Sequence, residues 1–351
     1  MTRAAAGRTR WVRIGAVLAL AAAACYLSAS GAAGVGQGGP APLALGTPAA
    51  CAAYSGTPPG WRQGARAGEV HVAAGMVTLG SDGGYADEKT RARRRVEAFW
   101  MDATEVTNAQ FAAFVAATAY VTDAERQGGG AVFRQPVEPA PANQGGLDAG
   151  GWQFVAGADW RHPEGPGSSI EAAASAPVVQ VTRADALAYA AWMGRALPSE
   201  AQWEAAAKAG REDATLDRAP LDAQGRPAAN FWQGQFPLKD DAEDGYAGRS
   251  PVGCFAPNGF GLYDTIGNVW EWTGDAYTGP HQAHGHGDAG AGRAAAGPAV
   301  VPGAVAVIKG GSFLCAASYC VRYRASARHP HEADLPAAHV GFRTVREDDA
   351  D

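Results

Sequence analysis

Two cysteines with four residues between them, Cys315 and Cys320, lie in the stretch GGSFLCAASYCVRYRASAR that runs from Gly310 to Arg328. Past the N-terminal region only Cys51 and Cys254 accompany them. Spacing alone favours a disulfide if the protein is exported. A zinc site would need two further His or Cys ligands, and no second C-x-x-C and no H-x3-H follows. Two thiolates without harder ligands suit a two-coordinate soft ion, Cu(I) above all. Arg322, Arg324 and Arg328 are close in sequence, and cations beside a thiol lower its pKa. Cys51 and Cys254 form a second possible pair in an oxidising compartment.

Two other stretches carry oxygen ligands. In NGFGLYDTIGNVWEW, residues 258–272, Asp264 and Glu271 bracket Gly267 and Asn268. Carboxylates spaced through a glycine loop are how a chain assembles an oxygen cage for Ca²⁺, although the spacing is not that of an EF-hand. Caps and turn hydrogen bonds account for the same residues equally well. ANFWQGQFPLKDDAEDGY, residues 229–246, offers Asn230 and Asp244 in the same way. A low-complexity tract from Pro280 to Pro298 carries His281, His284 and His286, a composition that fits a surface loop better than a copper or zinc site.

The composition constrains what must hold these groups in place. With 47 glycines, 22 prolines and 10 tryptophans, the chain implies irregular backbone pinned by aromatic packing. At net charge −6 and with one internal basic run, Arg91 to Arg95, it lacks the basic face that nucleic acid requires. Residues 1–30 combine Arg3, Arg8, Arg10 and Arg13 with the apolar run Ile14 to Leu27, the pattern of a signal peptide. The run is shorter than the ~20 residues of a spanning helix, which favours cleavage over retention as a signal anchor. Export to the periplasm or exterior is therefore expected, with membrane contact only if that segment is retained. Residues 31–68, rich in Gly, Ala and Pro, read as a linker. Ordered sequence is expected over 69–346, beginning with a strand at His71–Leu79, and residues 347–351 form an acidic tail. Three helices are predicted. One starts at Thr107 with Gln110 three residues later, one runs from Thr182 to Gly194, and one starts at Ser199 with Gln202 and closes at Gly210. Past Gly210, short strands and turns are expected.

Taken together, FWMDATEVTNAQFAAFV, GADWRHPEGPGSSI, RALPSEAQWEAAAKAG, ANFWQGQFP, PNGFGLYDTIGNVWEW and KGGSFLCAASYCVRYRASAR…HVGFR resemble the formylglycine-generating enzymes, also called sulfatase-modifying factors. The resemblance covers roughly His71 to Arg343. It implies an α+β fold, irregular and C-type-lectin-like, with little regular secondary structure. It implies that Cys315 and Cys320 are catalytic thiols that bind Cu(I), with Ser312 and Tyr319 lining the active site. It implies one Ca²⁺ on Asn230, Asp244 and the backbone of Phe231 and Tyr246. A second is implied on Asp264, Glu271 and the backbone of Gly267 and Val269. The implied reaction converts a cysteine in a C-x-P-x-R stretch of an unfolded sulfatase to formylglycine with O₂.

The chain departs from the family pattern in places. Positions that hold two disulfides in some secreted members are Ala190 with Thr344 and Ala207 with Ala325. RQGGGAVF, residues 126–133, places glycines where relatives carry larger or polar residues near the substrate groove. Arg183 stands where Trp is usual, and His329 and His331 are new near the cysteine segment. The competing reading is an exported lectin-like binding or assembly protein in which Cys315 and Cys320 form a plain disulfide. A non-haem iron oxygenase ranks last, because the chain has no H-x3-H-x-E for a facial triad.

Overall fold

The computed structural model describes residues 43–64, 66–89, 91–136, 151–212, 214–280 and 303–348. The signal pattern and the His281/His284/His286 tract lie outside them. In chain order the elements are α1 (Pro48–Ala52), β1 (Glu69–Val72), β2 (Gly75–Leu79), β3 (Ala92–Val96), β4 (Phe99–Asp102), α2 (Asn108–Thr118), α3 (Asp123–Gln127), β5 (Gly129–Arg134) and β6 (Gly151–Ala156). Then follow α4 (Arg183–Trp192), α5 (Glu200–Lys208), β7 (Gly234–Gln235), β8 (Lys239–Asp240), β9 (Trp270–Ala276), β10 (Val305–Lys309), β11 (Arg328–Glu332), β12 (Val340–Gly341) and β13 (Val345–Glu347). Among the described residues, five small sheets and long irregular connections make this the irregular α+β fold that the composition and the resemblance imply.

The central sheet has the order β11-β10-β9-β12, antiparallel except for the parallel β9–β12 pair. Its inner face buries Trp270, Trp272, Ile308, Val340 and Phe342 against Phe111 and Phe114 of α2 and Tyr189 of α4. Each of these helices starts where a side chain satisfies its free N–H groups. Thr107 with Gln110, Thr182 with Asp185 and Ser199 with Gln202 all close capping boxes. The expected C-cap at Gly210 is displaced by one residue: Ala209 takes the left-handed turn, with φ 50°, and its N–H reaches Ala205. The expected strand His71–Leu79 is two strands, because β1 pairs with β4 while β2 pairs with β3.

Helix α5 is keyed to the sheet by buried ions. Lys309, at the end of β10, meets Glu204 at 2.8 Å, and Arg328, at the start of β11, meets Glu200 at 2.8 Å. Arg183, in place of the usual Trp, is buried at the start of α4 and donates to the Thr273 carbonyl of β9 at 3.0 Å. The glycines of RQGGGAVF answer to backbone conformation at Gly128 and to close packing at Gly129 and Gly130. Gly128 caps α3 with φ 78°, and a Cβ on Gly130 would run into the Gln180 side chain.

Residues 43–64, within the stretch expected as linker, carry a short helix tied to the rest of the fold. Thr47 caps α1, and Cys51 within that helix is disulfide-bonded to Cys254. Five residues are too few to show a period, and the tie that holds them lies 203 residues away in the sequence. No helix among the described residues is long and apolar enough to cross a membrane.

Candidate active site

The cysteine segment leaves β10 through Gly310 and Gly311, both with positive φ, 95° and 79°. A Cβ on Gly311 would sit 2.7 Å from the Arg322 carbonyl and 2.8 Å from the Tyr323 nitrogen. Only glycine lets residues 311 and 322 approach this closely, and that approach folds the segment back on itself. Cys315 donates its N–H to Ser312 O and Cys320 donates to Ala316 O, each at 2.9 Å, and Trp232 N–H holds the Cys315 carbonyl at 2.9 Å. The result places the two sulfurs 3.2 Å apart as free thiols, Cys315 buried and Cys320 partly exposed.

Burial pushes the Cys315 thiol well above its ordinary range, and the neighbouring Cys320 adds to the rise. Cys320 moves the other way, to about 7, first through the hydrogen bond from Cys315 and further through Arg322 and Arg324. At neutral pH the pair is therefore poised as one thiolate accepting from one thiol. Arg328, the third arginine of the motif, is turned to Glu200. A loop from the other end of the chain fixes the first two: Asp87 meets Arg322 at 3.2 Å, Glu88 meets Arg324 at 2.6 Å, and Tyr85 Oη accepts the Val321 N–H at 3.2 Å.

Ser312 is buried, and its Oγ accepts the Leu314 N–H at 3.2 Å, so it shapes the turn. Tyr319 is 69% exposed and stacks on Phe236 at 4.5 Å. Phe236 stacks on Phe133 at 5.2 Å, and Phe133 meets Trp152 edge-on at 5.6 Å. This row of rings leads away from Cys320. Beside it a cleft of roughly 360 Å³ is lined by Phe133, Trp232, Phe313, Leu314, Glu164 and Arg249. A larger cavity, about 580 Å³, touches neither thiol; Ala207 and Ala325 both line it.

The expected calcium ligands fall into two adjoining groups. Asn230 Nδ2 donates to Gly248 O at 2.7 Å, which leaves Oδ1 buried without a partner. Gln233 Nε2 donates to both the Phe231 carbonyl and Asp244 Oδ2, so a partial positive charge sits between two expected ligands. Asp244 Oδ1 accepts the Tyr246 N–H at 2.8 Å. In the second group Gly267 lies against the Asn230 backbone too closely for any side chain, and Asn268 donates its N–H to Asn230 O at 2.8 Å. Val269 is buried beside them. Glu271 is bound through both oxygens, to Arg343 at 2.7 Å and to Trp203 Nε1 at 2.8 Å. Asp264 accepts the Gly253 N–H at 2.6 Å, and burial raises its carboxyl to about 6.

Sequence reasoning missed Glu105. It is fully buried, its Oε2 has no partner, and burial with the nearby Asp264 drives its carboxyl upward. Three buried carboxylates thus face one guanidinium, Arg343. A bound cation would relieve that excess negative charge. Oxygen donors are the kind that Ca²⁺ takes, and a reduced pair of thiols free of harder ligands is the kind that Cu(I) takes, although Arg343 and Trp203 already hold both oxygens of Glu271.

A thiol pair presented on an irregular, lectin-like α+β scaffold defines the class. The family model of the sulfatase-modifying factor enzyme 1-like domain matches residues 56–348, and the chain belongs to that family. It is 48% identical over 253 residues to a protein of Thermomonospora curvata named formylglycine-generating enzyme, a match covering 71% of this chain and 82% of that one. It is 40% identical over 316 residues to the formylglycine-generating enzyme of Bos taurus, covering 86% and 82%. Among solved structures, PvdO from Pseudomonas aeruginosa shares the fold, with TM-score 0.55 and 24% identity over 80% of this chain and 94% of that one.

Proposed function

We propose that the chain converts a cysteine of a sulfatase polypeptide to formylglycine, with O₂ as oxidant and Cu(I) held by Cys315 and Cys320. The observation that carries this reading is the unbonded thiol pair 3.2 Å apart in a chain 48% identical to a protein of that name. Copper(I), when bound, supplies a soft acceptor for the substrate sulfur and a redox partner for O₂. The chain's own residues do the rest. Cys320 offers a thiolate at neutral pH, Cys315 a sulfur shielded from water. Trp232 N–H and the Gly310–Gly311 turn fix their separation. The rings of Tyr319, Phe236 and Phe133 form an apolar wall along which an extended C-x-P-x-R segment lies beside Cys320. The substrate loses one hydrogen from sulfur and one from Cβ to O₂, which leaves as H₂O₂, and the thioaldehyde takes up water and releases H₂S.

Calcium is proposed as structural. Asn230, Asp244 and the carbonyls of Phe231 and Tyr246 would hold one ion; Asp264, Glu271 and the carbonyls of Gly267 and Val269 would hold another. The unpartnered Asn230 Oδ1 supports the first site. Saturating Ca²⁺ should then stabilise the fold over chelator-treated protein by about 2.7 kcal/mol at a hundredfold excess over Kd, seen as a higher Tm. Asn230→Ala should shrink that gain. Export is supported by the N-terminal signal pattern and by the Cys51–Cys254 disulfide, a bond that persists in oxidising compartments. The test of the function is aerobic incubation with a C-x-P-x-R peptide, with and without Cu(I), read by mass spectrometry for the aldehyde. Product in air with copper is expected; its absence under both conditions overturns the reading.

A further inference from the structure

The cavity of about 580 Å³ that touches neither thiol has no part in the proposed reaction. Its volume falls within the roughly 300–1,000 Å³ of pockets that take drug-sized ligands. The lining divides by depth. At the floor Ala207 of α5, Ala229, Leu262 and Ala325 are buried, and three alanines among these four leave the floor wide and apolar. At the rim Leu221 is 50% exposed, and Ala228 and Pro257 are exposed beside it. The rim segment closes on itself, since Ala228 N–H donates to Pro220 O and Asp222 N–H donates to Arg226 O, each at 2.8 Å. Its backbone is therefore satisfied without any group from the cavity.

The polar groups of the lining sort in the same way. Asn258 is satisfied by the protein: its Nδ2 donates to Ala206 O at 2.8 Å, and its Oδ1 accepts the Phe260 and Leu262 N–H groups at 3.0 and 3.1 Å. Asp264, at the inner end, accepts the Gly253 N–H at 2.6 Å. Two exposed cations stand at the rim, Arg211 and Arg218. Arg211 donates to Thr215 Oγ1, while the Arg218 guanidinium has no hydrogen-bond or ion-pair partner among the described residues. An apolar floor below an unpaired cation is the arrangement that an amphiphilic anion complements.

We propose that this cavity binds an apolar carboxylate, its hydrocarbon tail on the alanine floor and its head at Arg218, with Arg211 alongside. The orientation follows from the charges. Asp264 at the inner end repels an anion there, and both guanidiniums lie at the opening. A cationic head would meet two like charges at the rim, and a polar ligand would find the hydrogen-bonding groups of Asn258 already engaged. The site stands apart from the proposed oxidation, because neither Cys315 nor Cys320 lines it.

The test is calorimetric titration of the full chain with sodium octanoate, 1-octanol and octyltrimethylammonium bromide, each below its micelle concentration. One equivalent of octanoate is expected, with a Kd of about 1 mM or tighter. Octanol should bind about two- to fivefold more weakly, the worth of a partly exposed ion pair, and the ammonium more weakly still. Arg218→Ala should bring octanoate down to the affinity of octanol and leave octanol unmoved, a result that general loosening of the fold would not give. Ala228→Phe, which fills the rim, should abolish binding of both; should that variant not fold, Leu221→Asp at its half-exposed position should do the same by charging the wall. A C-x-P-x-R peptide should not compete with octanoate. No saturable binding overturns the proposal, and so does binding that survives the rim variants, because the ligand then lies elsewhere. An ammonium that binds as well as octanoate overturns the assignment of the head group, and competition by the peptide overturns the separation from the substrate groove.

Discussion

Replacing Cys315 by alanine removes the S–H donor that most lowers the pKa of Cys320. In the intact pair Cys320 titrates near 7 against an ordinary 9.0, so about half of it is thiolate at pH 7. If the whole effect were lost, the thiolate fraction would fall to about one in a hundred, roughly fiftyfold. A more basic thiolate is also a better nucleophile, with a Brønsted slope of about 0.4–0.5, and this recovers about six- to tenfold. For a return to the ordinary value the alkylation rate of Cys320 at pH 7 should therefore fall by about five- to eightfold, by less if Arg322 and Arg324 retain part of the effect and by more if burial then dominates. The assay is iodoacetamide labelling of the reduced, metal-free protein across pH 5–10, resolved by peptide mass. The half-point should lie near 7 in the intact protein and move toward 9 in Cys315→Ala, whose rate should overtake at high pH. An unmoved half-point would refute the assignment of Cys315 as the donor.

Three further outcomes follow from the geometry. Arg343→Leu strands Glu105, Asp264 and Glu271 as buried carboxylates without their cation and should cost about 3–5 kcal/mol in chemical denaturation, whereas replacing a surface arginine such as Arg95 should leave the midpoint nearly unmoved. Gly311→Ala forces a side chain into the Arg322 carbonyl at a left-handed position. It should cost about 1–3 kcal/mol and, by separating the turn, abolish formation of a Cys315–Cys320 bond under mild oxidation. His329, His331 and His339 have folded pKa values below the unfolded 6.5, His329 at about 4. The unfolded chain then binds more protons in this window, so stability should fall as pH drops from about 6.5 to 4, and Tm in His329→Gln/His331→Gln should fall less steeply over that range.

What could be read from the sequence was local. Thr107 with Gln110 and Ser199 with Gln202 announce helix starts because capping is settled within four residues. The chemistry of two cysteines among arginines was legible for the same reason. What stayed hidden was brought in over long distances. Tyr85, Asp87 and Glu88 grip Arg322 and Arg324 across more than 230 residues of sequence. Glu105 joins Asp264 and Glu271 only because β4 and β9 converge on Arg343, and nothing about the stretch ATEVTN marks it as part of a charged core. Helix α1 gave no signal since its stability rests on Cys254 rather than on its own five residues. The row Tyr319–Phe236–Phe133–Trp152 joins four separate segments, and only folding makes it one surface.

The central claim is that the reacting centre is the reduced pair of sulfurs at residues 315 and 320. Aldehyde yield on a C-x-P-x-R peptide, compared between the intact protein and a Cys320→Ser variant of matched thermal stability, tests it most directly. The account predicts product from the first and none above background from the second; equal yields from both would contradict it.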